Sequence, residues 1–311
     1  MDQLFLKIQF KNIPVLVNRV VVLTCLFFTP TYSLAEQLAT IISSNSNHYH
    51  QSLIQNIQSN LEGTDIKIRN IDIDQQETID KNDGIIISIG SKAAEFLDQN
   101  NLSNTQLRVL TKTIPYKGTP KKNELQLSMT HSLCQQFALI RLLNADWKTV
   151  SIMLAKQNTL ETKKLETCAA QYNLTLQTIL ISQYVNMIDA LNSSLLNSDA
   201  LLALPDPSVY NAKTVKSILL TTYRHRVPVI GFSEGFVHAG ALAAIHSSTE
   251  QLGKQISELI QNHFKRDKTN KHYIYPKYFD VTINKDVAKS LGITIPDRKV
   301  LIEKLKNHNH E

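Results

Sequence analysis

The stretch that decides the fold runs from residue 201 to residue 248 and reads LLALPDPSVYNAKTVKSILLTTYRHRVPVIGFSEGFVHAGALAAIHSS. Its first apolar run stops at Pro205-Asp206-Pro207, because proline cannot donate a ladder hydrogen bond. A second apolar run, 227–232, opens into Ser233-Glu234-Gly235. Apolar residues at helical spacing lie between the two runs. The stretch is therefore predicted to be one strand–helix–strand repeat of a parallel sheet.

Polar loops are predicted at both strand ends of this repeat. Ser208 is the predicted N-cap of the helix, which is expected to end at the basic residues 224–226, where cations suit the helix dipole. In open α/β sheets, ligands bind outside the carboxyl ends of the strands. A first candidate site therefore consists of four residues: Asp206, Ser208, Ser233 and Glu234.

The first 35 residues have the pattern of a signal peptide. Basic residues precede the apolar segment 20–28, which is too short to span a membrane, and Ser33-Leu34-Ala35 has small residues where signal peptidase reads the chain. We expect export to the periplasm and cleavage after Ala35, with an uncleaved N-terminal anchor as the alternative. Cys25 lies inside the apolar segment, so a lipoprotein is not expected.

The remaining 276 residues (311 − 35) are too many for a single core of ordinary size. The alternation of strands and helices predicts parallel sheets with helices on both faces, in two consecutive halves. We expect residues 36–129 to form lobe 1, completed by the C-terminal segment 272–311, and residues 130–271 to form lobe 2.

The net charge of +6 is spread thinly, and its short basic clusters are not interleaved with aromatic residues, which argues against a nucleic-acid partner. Of the three cysteines, Cys134 and Cys168 remain after the predicted cleavage. In an oxidising compartment they either form a disulfide or stay as two buried free thiols.

Two loops in the first half add candidate residues. A polar loop, Ser44 to His48, follows the first predicted strand, and Gly90-Ser91-Lys92 leads from a buried strand into a helix. Ser91 is interpreted as an N-cap, which either holds an anion together with neighbouring N–H groups or only caps the helix.

Other functional classes are poorly supported. Asp206 and Glu234 suggest a carboxylate pair for glycoside hydrolysis, but no third catalytic element accompanies them. No nucleophile elbow, P-loop or zinc motif is present. The pairs His48 with His50 and His308 with His310 are incomplete metal sites. We therefore expect no catalytic residue, no metal and no cofactor.

Five segments carry a resemblance to a known family: GIIISIGSKAAEF (84–96), QQFALIRLLNADWKTVSIML (135–154), DALLALPDPSVYN (199–211), VPVIGFSEGFVHAGALAAI (227–245) and YFDVTINKDVAKSLGITIP (278–296). With them the chain resembles the periplasmic substrate-binding proteins of ABC transporters, specifically those that take up aromatic amino acids such as tryptophan. The resemblance covers about residues 36–305.

This resemblance implies the type I periplasmic-binding fold, in which two Rossmann-like lobes close on a small solute at a hinge. It also implies a monomer that delivers the solute to an inner-membrane permease; the alternative is a module that docks on a sensor kinase or cyclase. The site residues implied by the resemblance are Ser44, Asn45 and His48, Ser91 and Lys92, Thr130 and His131, Asp206 and Ser208, and Ser233 and Glu234.

The chemistry of these residues suits an amino acid or a similar small polar metabolite. Asp206 or Glu234 would bind an ammonium group, and N–H groups and hydroxyls at Ser91, Ser208 and Ser233 would bind a carboxylate. Three aromatic residues beside the second-lobe strands are either an apolar wall for the solute or part of the core: Tyr210, Phe232 and Phe236.

Overall fold

The protein's structure is a computed structural model, which describes residues 37–44, 48–75, 79, 84–100, 102–110, 123–155, 159–265 and 272–308. The predicted signal peptide, its cleavage site after Ala35 and the candidate residue Asn45 lie outside the described residues. None of the helices described is both long and apolar enough to cross a bilayer.

Twelve strands are described within these ranges, and they form two sheets of six. In chain order the strands are β1 (Gln37–Ser43), β2 (Ile66–Asp72), β3 (Ile85–Ile89), β4 (Thr105–Val109), β5 (Glu124–Leu127), β6 (Thr149–Leu154), β7 (Thr175–Leu180), β8 (Ala200–Leu202), β9 (Val229–Gly231), β10 (Ala243–His246), β11 (Tyr273–Ile274) and β12 (Asp280–Ile283).

Ten α-helices are described in the same part of the chain. In chain order they are α1 (His48–Leu61), α2 (Ser91–Asn100), α3 (Leu133–Leu143), α4 (Thr159–Gln171), α5 (Met187–Leu195), α6 (Val215–Arg224), α7 (Glu234–His238), α8 (Thr249–Phe264), α9 (Lys285–Leu291) and α10 (Arg298–Lys306).

The first sheet has the order β11-β5-β4-β3-β1-β2, and all its pairings are parallel. The second has the order β12-β10-β9-β8-β6-β7, and only β12 runs antiparallel to its neighbour. Two mostly parallel sheets flanked by helices confirm the fold class predicted from strand–helix alternation.

Helices cover both faces of each sheet, which explains why the central strands are apolar throughout. Strand β3, with the sequence IIISI, is buried at every position. Helices α1 and α8 pack together on one face of the first sheet, where Leu53 and Ile57 share a core with Ile256. Helix α2 supplies Leu97 to the other face. In the second sheet, α3, α4 and α10 cover one face, and α5 and α6 cover the other.

The division into lobes differs from the prediction in two places. Helix α8, expected in lobe 2, packs on α1 beneath the first sheet. Of the segment 272–311, expected to complete lobe 1, only β11 joins the first sheet; β12 joins the second, and α10 packs on α3. The chain therefore crosses between the domains three times, at 128–132, 247–248 and 275–279. Local periodicity identifies a strand but not the sheet that it joins.

A disulfide joins Cys134 of α3 to Cys168 of α4, so the structure shows the first of the two alternatives left open by the sequence. Both cysteines lie in the core of the second domain. The bond links two neighbouring helices on the same face of the second sheet.

Candidate functional site

All three crossings join the carboxyl edges of the two sheets. The first leaves the carboxyl end of β5 and the second leaves that of β10. The third leaves the carboxyl end of β11 and enters β12, whose first residue, Asp280, pairs with His246 at the carboxyl end of β10. The loops at both carboxyl edges therefore flank the hinge, in the position where open α/β sheets hold ligands.

On the first domain, a histidine lies across the loop between β3 and α2. A Cβ atom at Gly90, where φ is +91°, would stand 2.8 Å from Cε1 of His50, so this approach requires glycine. His50 is partly buried, and its Nδ1 has no hydrogen-bond partner among the described residues. Burial lowers the pKa of His50, while a hydrogen bond with the Ser44 backbone opposes that shift. The ring is thus a neutral polar group at this edge.

The residues predicted for the first-domain site come from two segments. One is next to His50 in sequence, and the other follows β3, where the loop approaches His50. Ser44 is buried directly after β1, and His48 is the exposed first residue of α1. Ser91 is the first residue of α2 rather than its N-cap, because Ala94 N–H donates to the carbonyl of Gly90, which holds the cap position. Lys92 is exposed. The sequence pattern points to His50 only as half of an incomplete metal site with His48.

On the second domain, two of the four predicted polar residues hold their own loops in shape. Asp206 Oδ1 accepts a hydrogen bond from the Ser208 N–H at 2.8 Å. Ser233 Oγ caps α7 by accepting from the Phe236 N–H at 3.2 Å. Glu234 is exposed and faces His238 on its own helix, with 3.7 Å between Oε1 and Nε2. Ser208 and Glu234 are therefore the more accessible members of the set.

The helix after Asp206 begins later than predicted. Ser208 is not its N-cap, because α6 begins at Val215 and Thr214 holds the cap position. The intervening residues form hydrogen-bonded turns: Tyr210 N–H donates to the Asp206 carbonyl at 2.7 Å, and the Thr214 hydroxyl donates to the Val209 carbonyl at 2.7 Å. Asp206 and Thr214 provide hydrogen-bond partners for the backbone groups of these turns. The first turn of α6 therefore begins later along the chain.

The loops after β8 and β9 meet through an aromatic cluster formed by Tyr210, Phe232 and Phe236. Ring centroids lie 6.2 Å apart for Tyr210 and Phe232, 5.7 Å for Tyr210 and Phe236, and 5.0 Å for Phe232 and Phe236. Tyr210 and Phe236 belong to the core, and Phe232 is partly buried against it. The Tyr210 hydroxyl has no hydrogen-bond partner among the described residues, and burial and the Asp206 charge raise its pKa.

The crossing residues are placed in the hinge rather than on an open surface. Thr130 N–H donates to Ser128 Oγ at 3.1 Å. His131 is only 3% exposed, with Nδ1 3.1 Å from Gln135 Oε1 and Nε2 3.1 Å from Ser247 Oγ. Burial lowers the pKa of His131 to about 3, so the ring is neutral at neutral pH. Both of its nitrogens are already engaged within the protein, and its contact with a solute stays a prediction.

Exposed apolar side chains also follow several strands at these edges. Tyr49 comes after β1, Met129 after β5, and Tyr184 and Val185 after β7, and all four are exposed. Large apolar groups left in water at a loop edge are a feature of binding surfaces. They lie two to six residues beyond the ends of these strands. In the described part of the chain, no three His, Cys, Asp or Glu residues are grouped as a metal site would require.

The sequence profile of ABC transporter substrate binding proteins matches residues 69–306. The chain belongs to this family. Members of the family are binding proteins for the small-molecule substrates of ABC transporters. Comparison with curated proteins gives no match.

Solved structures share the fold of this substrate-binding protein at low sequence identity. The ligand-free, open structure of CD0873 from Clostridium difficile, a substrate binding protein with adhesive properties, is 17% identical, covers 85% of this chain and 97% of its own, and has a TM-score of 0.64. An ABC domain from Streptococcus pneumoniae in complex with L-Trp is 16% identical. The match covers 86% of this chain and 98% of the Streptococcus chain, with a TM-score of 0.57. A mutant XylFII–LytSN complex is 14% identical, with coverages of 80% and 99% and a TM-score of 0.52.

Proposed function

We propose that this protein is exported to the periplasm, binds a small solute between its two domains and delivers it to the membrane permease of an ABC transporter. The observation that carries the proposal is the connection of both carboxyl edges by three crossings. This arrangement places polar loops from both sheets on either side of one hinge, and domain closure around it would enclose a solute.

The solute that fits these edges has both polar and apolar groups, as an amino acid or a related small metabolite does. Glu234 and Asp206 supply negative charge for an ammonium group. His50, Ser91 and the N–H groups that open α2 supply neutral hydrogen-bond donors for a carboxylate. Exposed side chains such as Tyr49 and Met129 supply apolar contacts. The L-Trp complex of the Streptococcus relative supports a ligand of this class.

A thermal-shift screen tests solute capture directly. The protein is refolded to remove any retained ligand and then mixed with amino acids, nucleosides, sugars and small organic acids. A solute present at a hundredfold excess over its Kd stabilises the folded state by about 2.7 kcal/mol, which raises the unfolding temperature by several degrees. If no compound raises it, solute capture is contradicted.

A pair of glycine variants localises any hit. Gly90→Ala places a methyl group against the His50 ring at positive φ, and we expect it to weaken binding of the hit at least tenfold. Gly63→Ala is the matched control, because Gly63 also has a positive φ, +78°, but nothing lies within 4 Å of an added Cβ. Equal loss of affinity in both variants would mean that backbone strain alone is responsible, and that His50 does not line the site.

The second candidate is a sensory role in which the protein docks on a partner domain such as that of a sensor kinase or cyclase. A groove of about 700 Å³ on the second domain favours it, because Leu220 and Tyr223 of α6 line the groove and remain about half exposed. The XylFII–LytSN complex shows this fold bound to a second protein. Leu220→Asp should abolish docking and leave solute binding unchanged; in the transport role it should also leave uptake unchanged.

A further inference from the structure

The three crossings between the domains are joined by hydrogen bonds at one partly buried point. Ser247 of the second crossing donates a hydrogen bond from its hydroxyl to the carbonyl of Tyr278 in the third crossing, at 2.6 Å. The same oxygen lies 3.1 Å from Nε2 of His131 in the first crossing. The ring of His131 also packs edge-on against Phe279, with centroids 5.4 Å apart.

The other ring nitrogen of His131 fixes its tautomer. Nδ1 lies 3.1 Å from Oε1 of Gln135, and the amide nitrogen of Gln135 donates to the Leu305 carbonyl at 3.2 Å. The Leu305 contact orients the Gln135 amide, so its oxygen faces the histidine and can only accept. Nδ1 must therefore carry the proton, and Nε2 of the neutral ring is left as an acceptor.

The hydrogen-bond network at the hinge has one donor hydrogen fewer than its acceptors require. Ser247 has a single hydroxyl hydrogen, but both neighbours of its oxygen, the Tyr278 carbonyl and His131 Nε2, are acceptors. A doubly protonated His131 would supply the missing donor, but the ring is buried and its pKa is lowered to about 3. The Ser247 hydroxyl can thus satisfy only one of the two acceptors at a time.

We propose that the Ser247 hydroxyl is a two-position switch that sets the balance between the open and closed arrangements of the domains. Pointing at the Tyr278 carbonyl, it joins the second crossing to the third; pointing at His131, it joins the second crossing to the first. Ser247 and His131 act here as positioning residues, since they change solute affinity only through the angle between the domains. This proposal rests on the domain closure assumed in the proposed function.

The test measures the distance between the domains in the protein without solute. Spin labels are placed at exposed positions of the chain that begins at Glu36, Glu95→Cys on α2 and Ser217→Cys on α6, since Cys134 and Cys168 are paired in the disulfide, and distances are measured by double electron–electron resonance. Ser247→Ala removes the switch, and we expect the ratio of open to closed populations to change about two- to tenfold, the effect of one net hydrogen bond. Ser247→Thr retains the hydroxyl and should restore the wild-type ratio.

A matched control is provided by a second histidine–hydroxyl pair. Nε2 of His246 lies 2.8 Å from Oγ1 of Thr282, and both residues belong to the paired strands β10 and β12 within the second domain. Thr282→Val removes this contact without touching a crossing, and we expect it to leave the distance distribution unchanged. A shift in Thr282→Val as large as that in Ser247→Ala would overturn the proposal.

The tautomer is checked on the wild-type protein, so the proposal stays testable even if Ser247→Ala does not fold. Nitrogen-15 chemical shifts of His131 at pH 7 should show a protonated Nδ1 and a bare Nε2. A ring protonated on both nitrogens would supply the missing hydrogen and overturn the proposal, as would identical distances in Ser247→Ala and wild type. Both readouts use solute-free protein, so a failed solute screen would contradict the proposed function without deciding this inference.

Discussion

The two domains have the same architecture, but different interactions stabilise their cores. In the first, a buried arginine, Arg108, bridges two carboxylates on the α2 face of the sheet: its Nη2 lies 2.7 Å from Asp98 Oδ1 and 2.8 Å from Glu124 Oε1. In the second, a disulfide between Cys134 and Cys168 links the helices on one face. The first interaction depends on charge pairing and the second on a covalent bond, so the two domains should respond to different perturbations.

The single tryptophan makes that difference measurable. Trp147 is buried in the core of the second domain, so its fluorescence reports on that domain alone. Far-ultraviolet circular dichroism reports on the helices of both domains. A change confined to the first domain should therefore move the circular dichroism transition and leave the fluorescence transition in place.

The largest effect is expected from Arg108→Ala. Arg108 and Glu124 are both buried, and removing one partner of a buried ion pair leaves the other charge uncompensated, which costs about 3–5 kcal/mol. Urea denaturation should show early loss of circular dichroism with the tryptophan transition unchanged. Arg298→Ala is the control, because the side chains of its ion pair with Asp280 are 54% and 31% exposed, and a pair open to solvent is worth at most about 1 kcal/mol. Equal losses in the two variants would contradict the assignment.

A smaller effect, on the other domain, is expected from removing the disulfide. Cys134 and Cys168 are 34 residues apart, and closing a loop of that length stabilises a domain by about 2–4 kcal/mol. The double variant Cys134→Ala/Cys168→Ala should shift the tryptophan transition to lower urea by that amount. Adding dithiothreitol should shift wild type in the same direction and leave the double variant unaffected. A reductant effect on the double variant would point to another cause.

The sequence predicts the fold well because its elements are strongly periodic. Runs such as Ile85–Ile89 and Thr149–Leu154 are buried strands, and the helices between them have clear apolar faces. The sheet that each late element joins was not predictable. Contacts with residues far away in the sequence decide which sheet helix α8 and strand β12 join. The local sequence pattern contains no information about those contacts.

The candidate site was predicted at the level of loops rather than of side chains. Strand ends identify the loops, since ligands bind at the carboxyl edges of parallel sheets. They do not reveal which polar groups are already used by the fold: Ser233 caps a helix, and His131 is enclosed in the hinge. The sequence does not indicate a role for His50 at the edge of the sheet, because its approach to Gly90 joins two segments that lie 40 residues apart in sequence (90 − 50).

The smallest stability effects, and the sharpest test of the second-domain rim, come from Asp206 and Glu234. Asp206→Ala removes the acceptor for the Ser208 N–H and should cost about 1 kcal/mol, whereas Asp206→Asn keeps an oxygen there and removes only the charge. Glu234→Ala should leave stability unchanged, because its pairing with His238 is exposed.

If these carboxylates bind the ammonium of a solute, Asp206→Asn and Glu234→Ala will weaken binding of the hit without lowering the unfolding temperature. Unchanged affinity in Asp206→Asn together with lower stability in Asp206→Ala would show that Asp206 serves only to form its turn, and would leave Glu234 as the carboxylate that faces the solute.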